Sequence, residues 1–205
     1  MFKIWKMDKP LLLASGSVTR LNLLKSAAIP VEAAKPLVDE RAIETSLKTR
    51  KLTPDLIALE LAIAKGAEVS ARYPDRLIVA ADQTLALGEE QFHKPGSQEQ
   101  ARAQLKKLSG KTHDLHAAVV CFRDGQRCYA QIQSAHLTVR ELGSDFLDAY
   151  LAEAGDAILN SVGGYQVEGL GVHLFKRIDG DHSTILGLPL PPLLAYFRSI
   201  GALAA

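Results

Sequence analysis

Two uninterrupted apolar runs, LLLA at 11–14 and LIVAA at 77–81, constrain this chain more than any other feature. Each is too short for a helix and too apolar for a surface strand, so each reads as a buried strand. Between them lies TPDLIALELAIAKGAEVSARYP, the strongest helical pattern in the chain. Thr53 suits its N-cap, Pro54 its first helical position and Asp55 the positive end of its dipole. Tyr73-Pro74 stop it. A second helical pattern follows the first run, with Leu21, Leu24 and Ala28 on one face. Val31 to Ala34 predict a short strand, and the polar stretch from Pro36 to Lys51 has no decisive pattern.

Beyond LIVAAD, which predicts a strand ending at Asp82, hairpins dominate. TLALGEEQFHKP reads as a short one. Ser97 and Gln100 form a capping box for a helix that ends near Gly110. Residues 112–140 read as a long hairpin around Asp124-Gly125. Ser144 opens another helix, residues 165–178 predict a strand, and Pro192 to Gly201 predict a closing helix. Early alternation followed by hairpins predicts an α/β fold with a mixed sheet flanked by helices. Residues 1–205 read as a single domain.

Composition excludes several classes. Hydrophobic residues make up 47% and charged residues 23%, so a packed core is expected and disorder is not. With 24 basic and 23 acidic residues the net charge is +1, which argues against a nucleic-acid partner. No apolar run reaches the roughly 20 residues of a membrane span. MFKIWKMDKP lacks the apolar centre of a signal peptide, so a cytoplasmic location is expected. Cys121 and Cys128 flank the Asp124-Gly125 turn, and in a reducing compartment they read as free thiols.

Familiar motifs fail on inspection. LSGKTH holds Gly110-Lys111-Thr112, but Leu105 stands where a P-loop needs its first glycine. Gly169-Leu170-Gly171 runs toward a predicted strand, not a helix, so no dinucleotide fingerprint exists. The six histidines show no zinc spacing, and His113 and His116 fall on opposite faces of a strand. No G-x-S-x-G elbow is present.

Polar residues at element ends remain: Ser15, Ser17 and Arg20 after the first strand, Asp39 and Glu40, Lys65, Asp82, and Lys94 before Pro95. Asp82 leaves a buried run where open α/β sheets gather ligands. A bland reading stands beside each. Asp82 could cap a turn, Lys65 could lie on a solvated helix face, Asp39-Glu40 could be an exposed pair, Arg20 could pair with an acid, and Lys94 needs no role. Together they offer cations for phosphate oxygens and carboxylates for Mg²⁺ and a water.

In order, LASGSVTRLNLL, VDE at 38–40, LAIAKGAEV, AADQTLALGEEQFHKP, LSGKTH and GGYQVEGLGVHLFKRIDGDHSTILGLPL resemble the successive motifs of the Maf family of nucleoside triphosphate pyrophosphatases. The resemblance implies an elongated Maf/ITPase-like mixed sheet with two lobes around a central cleft, often dimeric. It implies hydrolysis of the α–β phosphoanhydride of a nucleoside triphosphate to monophosphate and pyrophosphate with a divalent cation, Mg²⁺ or alternatively Mn²⁺ or Co²⁺. Carried over, Asp82 is the proton acceptor, Glu40 and Asp82 hold the metal, and Ser15, Arg20, Lys65 and Lys94 bind the substrate. The family has also been linked to septum formation, which gives the alternative of a non-catalytic, nucleotide-binding regulator of cell division.

Three positions bear on the base. Gln83 and Glu168 resemble the subgroup acting on 7-methyl-GTP, and a carboxylate suits the N–H edge of a cationic guanine. Thr19 departs from it, since that subgroup tends to have tryptophan there and the pyrimidine subgroup arginine. The resemblance therefore leaves 7-methyl-GTP, CTP and UTP as candidates.

Overall fold

The computed structural model describes residues 4–204. In chain order the elements are β1 (Leu11–Ala14), α1 (Val18–Ser26), β2 (Val31–Ala33), α2 (Glu40–Thr49), α3 (Pro54–Arg72), β3 (Ile78–Leu87), β4 (Glu90–Phe92), α4 (Gln98–Leu108), β5 (Thr112–Arg123), β6 (Gln126–Val139), α5 (Ser144–Ala154), β7 (Phe175–Asp179), α6 (His182–Ile185) and α7 (Leu190–Ser199). The strands form one mixed sheet in the order β2-β1-β3-β5-β6-β7, with β4 also paired to β3. β1 runs parallel to β2 and β3, whereas β4 is antiparallel to β3 and β7 to β6. A mixed sheet with helices is the expected fold class. No helix among the described residues is long and apolar enough to cross a membrane.

One stretch without a decisive pattern is resolved and one predicted strand differs. The polar stretch 36–51 contains α2, whose N-terminus Asp39 caps by accepting a hydrogen bond from Ala42 N at 3.0 Å. Residues 165–178 are mostly not strand: a 3-10 helix occupies Leu170–Leu174 and β7 begins only at Phe175. The short 3-10 helices Gly155–Asn160 and Val162–Gly164 precede it. Smaller differences exist too. Ala28 lies beyond α1 with a positive φ, and Thr53 makes no side-chain cap.

The chain divides into two compact units. The first gathers the residues up to Gln83, His116–Gln133 and the stretch from Asp181 onward. Its strands are covered on both faces, which is why LLLA and LIVAA show no polar alternation. Leu11, Leu13, Val79, Ala81, Val119 and Cys121 pack against Leu24 of α1 and Leu193 and Phe197 of α7. Leu12, Ala14, Ile78, Ala80, Ala118, Val120 and Phe122 pack against Ala58, Ala62 and Val69 of α3. Gly66 sets how closely α3 approaches the sheet. A Cβ there would lie 2.6 Å from Phe122 Cε2 and 3.3 Å from Ala80 Cβ.

The second unit comprises Thr84–Leu115 and Ser134–Gly180. Leu85, Leu105, Leu108, Leu137, Leu147 and Leu174 are fully buried in it. Ser97 Oγ caps α4 by accepting from Gln100 N at 3.3 Å. Gln100 Oε1 accepts from Gly96 N at 2.7 Å, one residue beyond the N-cap N–H of the usual capping box. His113 is also fully buried, with Nε2 2.6 Å from Tyr165 Oη. Burial lowers its pKa from 6.5 to about 4, against a smaller opposing pull from Asp114. The imidazole is therefore neutral at pH 7.

Two consequences are measurable. Gly66→Ala gains helix propensity, roughly 1 kcal/mol, but drives a methyl into the Phe122 ring, and overpacking costs about 1–3 kcal/mol. The expected outcome is a lower midpoint in urea; a raised midpoint would show that the ring yields freely. Separately, the depressed His113 pKa makes its contribution complete above about pH 6.5 and progressively lost as pH falls toward about 4. That loss amounts to roughly 3 kcal/mol. Urea midpoints at pH 7 and pH 4 should fall further for the wild type than for His113→Phe, and an equal fall would exclude His113 as the titrating group.

Candidate active site

The first unit brings most of the candidate residues together. β1 and β3 pair in parallel through Ala14 and Ala80, and there β1 ends. β3 does not end at Asp82 but continues to Leu87, where it pairs with β4 from Leu85 onward. Asp82 and Gln83 thus occupy a stretch of β3 where the neighbour has changed. The predicted strand end is really the end of the partner strand.

Strand alternation then assigns directions. Asp82 shares the row of Ile78 and Ala80, the row that packs on α3. Lys65 falls in the buried stripe of α3 with Ala58, Ala62 and Val69. The two meet: Lys65 Nζ donates to Asp82 Oδ1 at 2.5 Å, with Lys65 6% and Asp82 8% exposed. Glu40, exposed in the first turn of α2, places Oε2 2.8 Å from the same Nζ. A buried ammonium needs paired oxygens to offset its lost hydration, and two carboxylates supply them. Lys65 is therefore no solvated-face residue, and its place in an apolar stripe was the sequence signal for that.

The segment between β2 and Glu40 is itself tied down. Glu68 Oε2 accepts from Leu37 N at 3.1 Å, and Arg72 donates to Lys35 O at 3.0 Å. The two side chains pair with each other on α3. Asp39, the other half of the acidic pair, is used as the cap of α2.

Arg20 closes the opposite side. Ser17 Oγ caps α1 by accepting from Arg20 N at 3.3 Å. The guanidinium donates to Ala81 O at 2.8 Å, to Gly187 O at 2.8 Å and to Ser15 Oγ at 3.3 Å. Ala81 lies one residue past the last β1 pairing, so Arg20 supplies the donor that the ended strand no longer does. Burial lowers the Arg20 pKa, and the charges of Asp82 and Glu40 oppose that shift. Ser15 is buried, and its Oγ also accepts from Ser17 N at 3.1 Å.

Gln83 points to the other face of β3. Its Nε2 donates to Thr184 O at 2.9 Å and Ile185 O at 3.1 Å. Gln83 and Arg20 thus both hold the segment from α6 to Gly187, where φ is +89° and a Cβ would lie 3.2 Å from the guanidinium. The sequence reading placed this segment in the last family motif but gave none of its residues from Asp181 to Gly187 a role. The signal lay in DHSTILGLPL: Asp181 caps α6 through Thr184 N at 3.1 Å, and the glycine takes a turn that other residues resist. Thr19 is half-buried in the first turn of α1. Lys94 and Glu168 belong to the second unit, and both are exposed.

Among the described residues, no cluster of three or more His, Cys, Asp and Glu side chains is placed to hold an ion. Two carboxylate oxygens converging on one cation are what the chain offers. That donor set suits Mg²⁺, which takes one or two carboxylates and completes its shell with phosphate and water oxygens.

Comparisons with known proteins agree on one family. Residues 10–200 match the profile described as "Maf-like protein". A "Nucleoside triphosphate pyrophosphatase" of Rhodopseudomonas palustris (strain BisB18) is 51% identical over 98% of this chain and 98% of its own. A "7-methyl-GTP pyrophosphatase" of Brucella abortus biovar 1 is 49% identical over 94% of this chain and 96% of its own. One of Mesorhizobium japonicum with the same description is 47% identical over 96% and 99%.

Proposed function

We propose that this chain, which belongs to the Maf family, is a hydrolase that cleaves the α–β phosphoanhydride of a nucleoside triphosphate, releasing the monophosphate and pyrophosphate. One observation carries the reading: Asp82 Oδ1 and Glu40 Oε2 converge on the buried Lys65 ammonium. The names of the full-length relatives support the same reaction. The role is removal of unwanted nucleotides from the cytoplasmic pool. Because the family match spans residues 10–200 and so includes both units, the whole chain is taken as one domain.

Phosphoryl transfer asks for positioning and charge stabilisation more than for covalent chemistry. Ser15, Arg20, Lys65 and Lys94 bind the triphosphate oxygens. Lys65 engages Oδ1 of Asp82 and leaves its other oxygen to take the proton of the attacking water. Glu40 and Asp82 would hold a divalent cation, Mg²⁺ first and Mn²⁺ or Co²⁺ as substitutes. When bound, that ion neutralises charge on the phosphate oxygens.

Thr19, Gln83 and Glu168 set the base. Glu168 is exposed and can accept two N–H bonds from a guanine edge. Gln83 spends both amide hydrogens on Thr184 and Ile185, so only its Oε1 is left to meet a ligand. The candidate substrates are 7-methyl-GTP, CTP and UTP.

With Mg²⁺ and a nucleotide panel, pyrophosphate and not single phosphates should appear; no turnover on any nucleotide would sink the proposal. Asp82→Asn should lose about 10²–10⁴-fold in kcat while nucleotide binding persists in calorimetry. Full activity in that variant removes Asp82 from its role. Thr19→Trp adds an aromatic face worth about 1–2 kcal/mol to a cationic base. Its kcat/KM ratio should move toward 7-methyl-GTP over UTP, and an unmoved ratio refutes the assignment of Thr19.

A further inference from the structure

His113 and Tyr165 take no part in the chemistry above, yet they anchor the stretch that carries Glu168. The His113 ring is enclosed by aromatic groups, with centroids 5.7 Å from Tyr165 and 6.1 Å from Phe175. Tyr165 and Phe175 meet edge to face at 5.0 Å. Its Nε2 shares a hydrogen bond with Tyr165 Oη, and among the described residues the buried Nδ1 has no partner. Tyr165 is itself 5% exposed. Its hydroxyl therefore fixes one end of the following turn to the core of the second unit.

The turn beyond Tyr165 has little freedom. Gln166 O accepts from both Gly169 N at 3.2 Å and Gly171 N at 3.1 Å. A Cβ on Gly171 would fall 2.3 Å from that carbonyl oxygen. On the other side, Gly163 has φ +80°, and a Cβ there would lie 2.7 Å from Leu85 Cδ1 and 2.9 Å from the Tyr165 ring. Backbone closure on Gln166 O, with side-chain packing at Gly163 and Tyr165 before it, leaves Glu168 exposed in a braced turn. A carboxylate that accepts two N–H bonds needs such fixing, because both contacts must form at about 2.7–2.9 Å together.

We propose that Tyr165, hydrogen-bonded to His113, is a positioning residue that places Glu168 and thereby sets base selection. The proposal rests on the reading of Glu168 as a base contact. His113, which spacing marks only as one face of a strand, is then part of the specificity apparatus without touching substrate.

Tyr165→Phe removes only the hydroxyl and keeps the ring. Hydrogen exchange over residues 166–171 should accelerate about five-fold, as for loss of one hydrogen bond. The ratio of kcat/KM for 7-methyl-GTP over UTP should shift by a similar factor, while kcat on the better substrate holds. A merely structural role would lower both substrates alike. Glu168→Gln in the same assay separates the two levels. If it leaves the ratio unchanged, the base-contact reading fails and the selection claim falls with it. If it moves the ratio while Tyr165→Phe moves neither ratio nor exchange, the positioning claim alone is overturned. Faster exchange in Tyr165→Phe with an unmoved ratio also overturns the link to selection.

Discussion

A positive charge buried between a helix and a sheet organises the first unit. Lys65 occupies a position that an apolar residue would fill without cost, and it is tolerable there only because Asp82 and Glu40 meet it. Three separate elements are thereby committed to one point. α3 must approach the sheet closely, which Gly66 permits; β3 must carry an acid on its α3-facing row; and α2 must start where its first turn reaches the ammonium. The Glu68–Arg72 pair holds the chain that leads into α2, so the exposed carboxylate is placed by backbone as well as by charge.

The second constraint is geometric. β1 stops after pairing with Ala80, while β3 continues. A strand that loses its neighbour must find other partners for its polar backbone. Here a side chain, Arg20, replaces a strand at Ala81 O and simultaneously binds Gly187 O. The residue expected to meet phosphate is thus also a structural brace. Such a guanidinium arrives at its ligand already oriented, which lowers the entropy cost of binding.

Much of the fold was legible because its cues are local. Uninterrupted apolar runs marked β1 and β3, Pro54 and Asp55 marked the start of α3, and Asp124-Gly125 marked the turn between β5 and β6, where both residues have positive φ. α2 was hidden because its sequence is mostly polar and its apolar face is narrow: Ile43 and Leu47, one turn apart, pack against Ile57 and Leu61 of α3, and Asp39 caps the start. Residues 165–174 misled for the opposite reason. Their apolar, glycine-spaced composition matches a strand, but Gly169 and Gly171 both close on Gln166 O in turns too tight for one. Asp82, Lys65, Glu40, Arg20 and Ser15 were all named from the sequence. What no single-sequence pattern could give was their register, because the end of β1 decides it. The anchoring of Gln83 on α6 was equally hidden, as the two are 101 residues apart.

The first unit is discontinuous in the chain. Its site residues lie before Gln83, the middle of β5 and the start of β6 come next, and α6 and α7 arrive only after Asp181. Near the two ends, Trp5 bridges Leu203 and packs edge to face on Phe197. A ribosome therefore delivers every proposed phosphate ligand of this unit long before Gly187 and Phe197 exist. Contacts of such long range make folding slow and cooperative, since closure entropy is lost before they form. A chain cut short before α6 would contain the whole first-unit set of charges and still leave Arg20 without Gly187 O, one of its three acceptors. The first-unit site thus reaches its full set of contacts only once the segment holding Gly187 has been made.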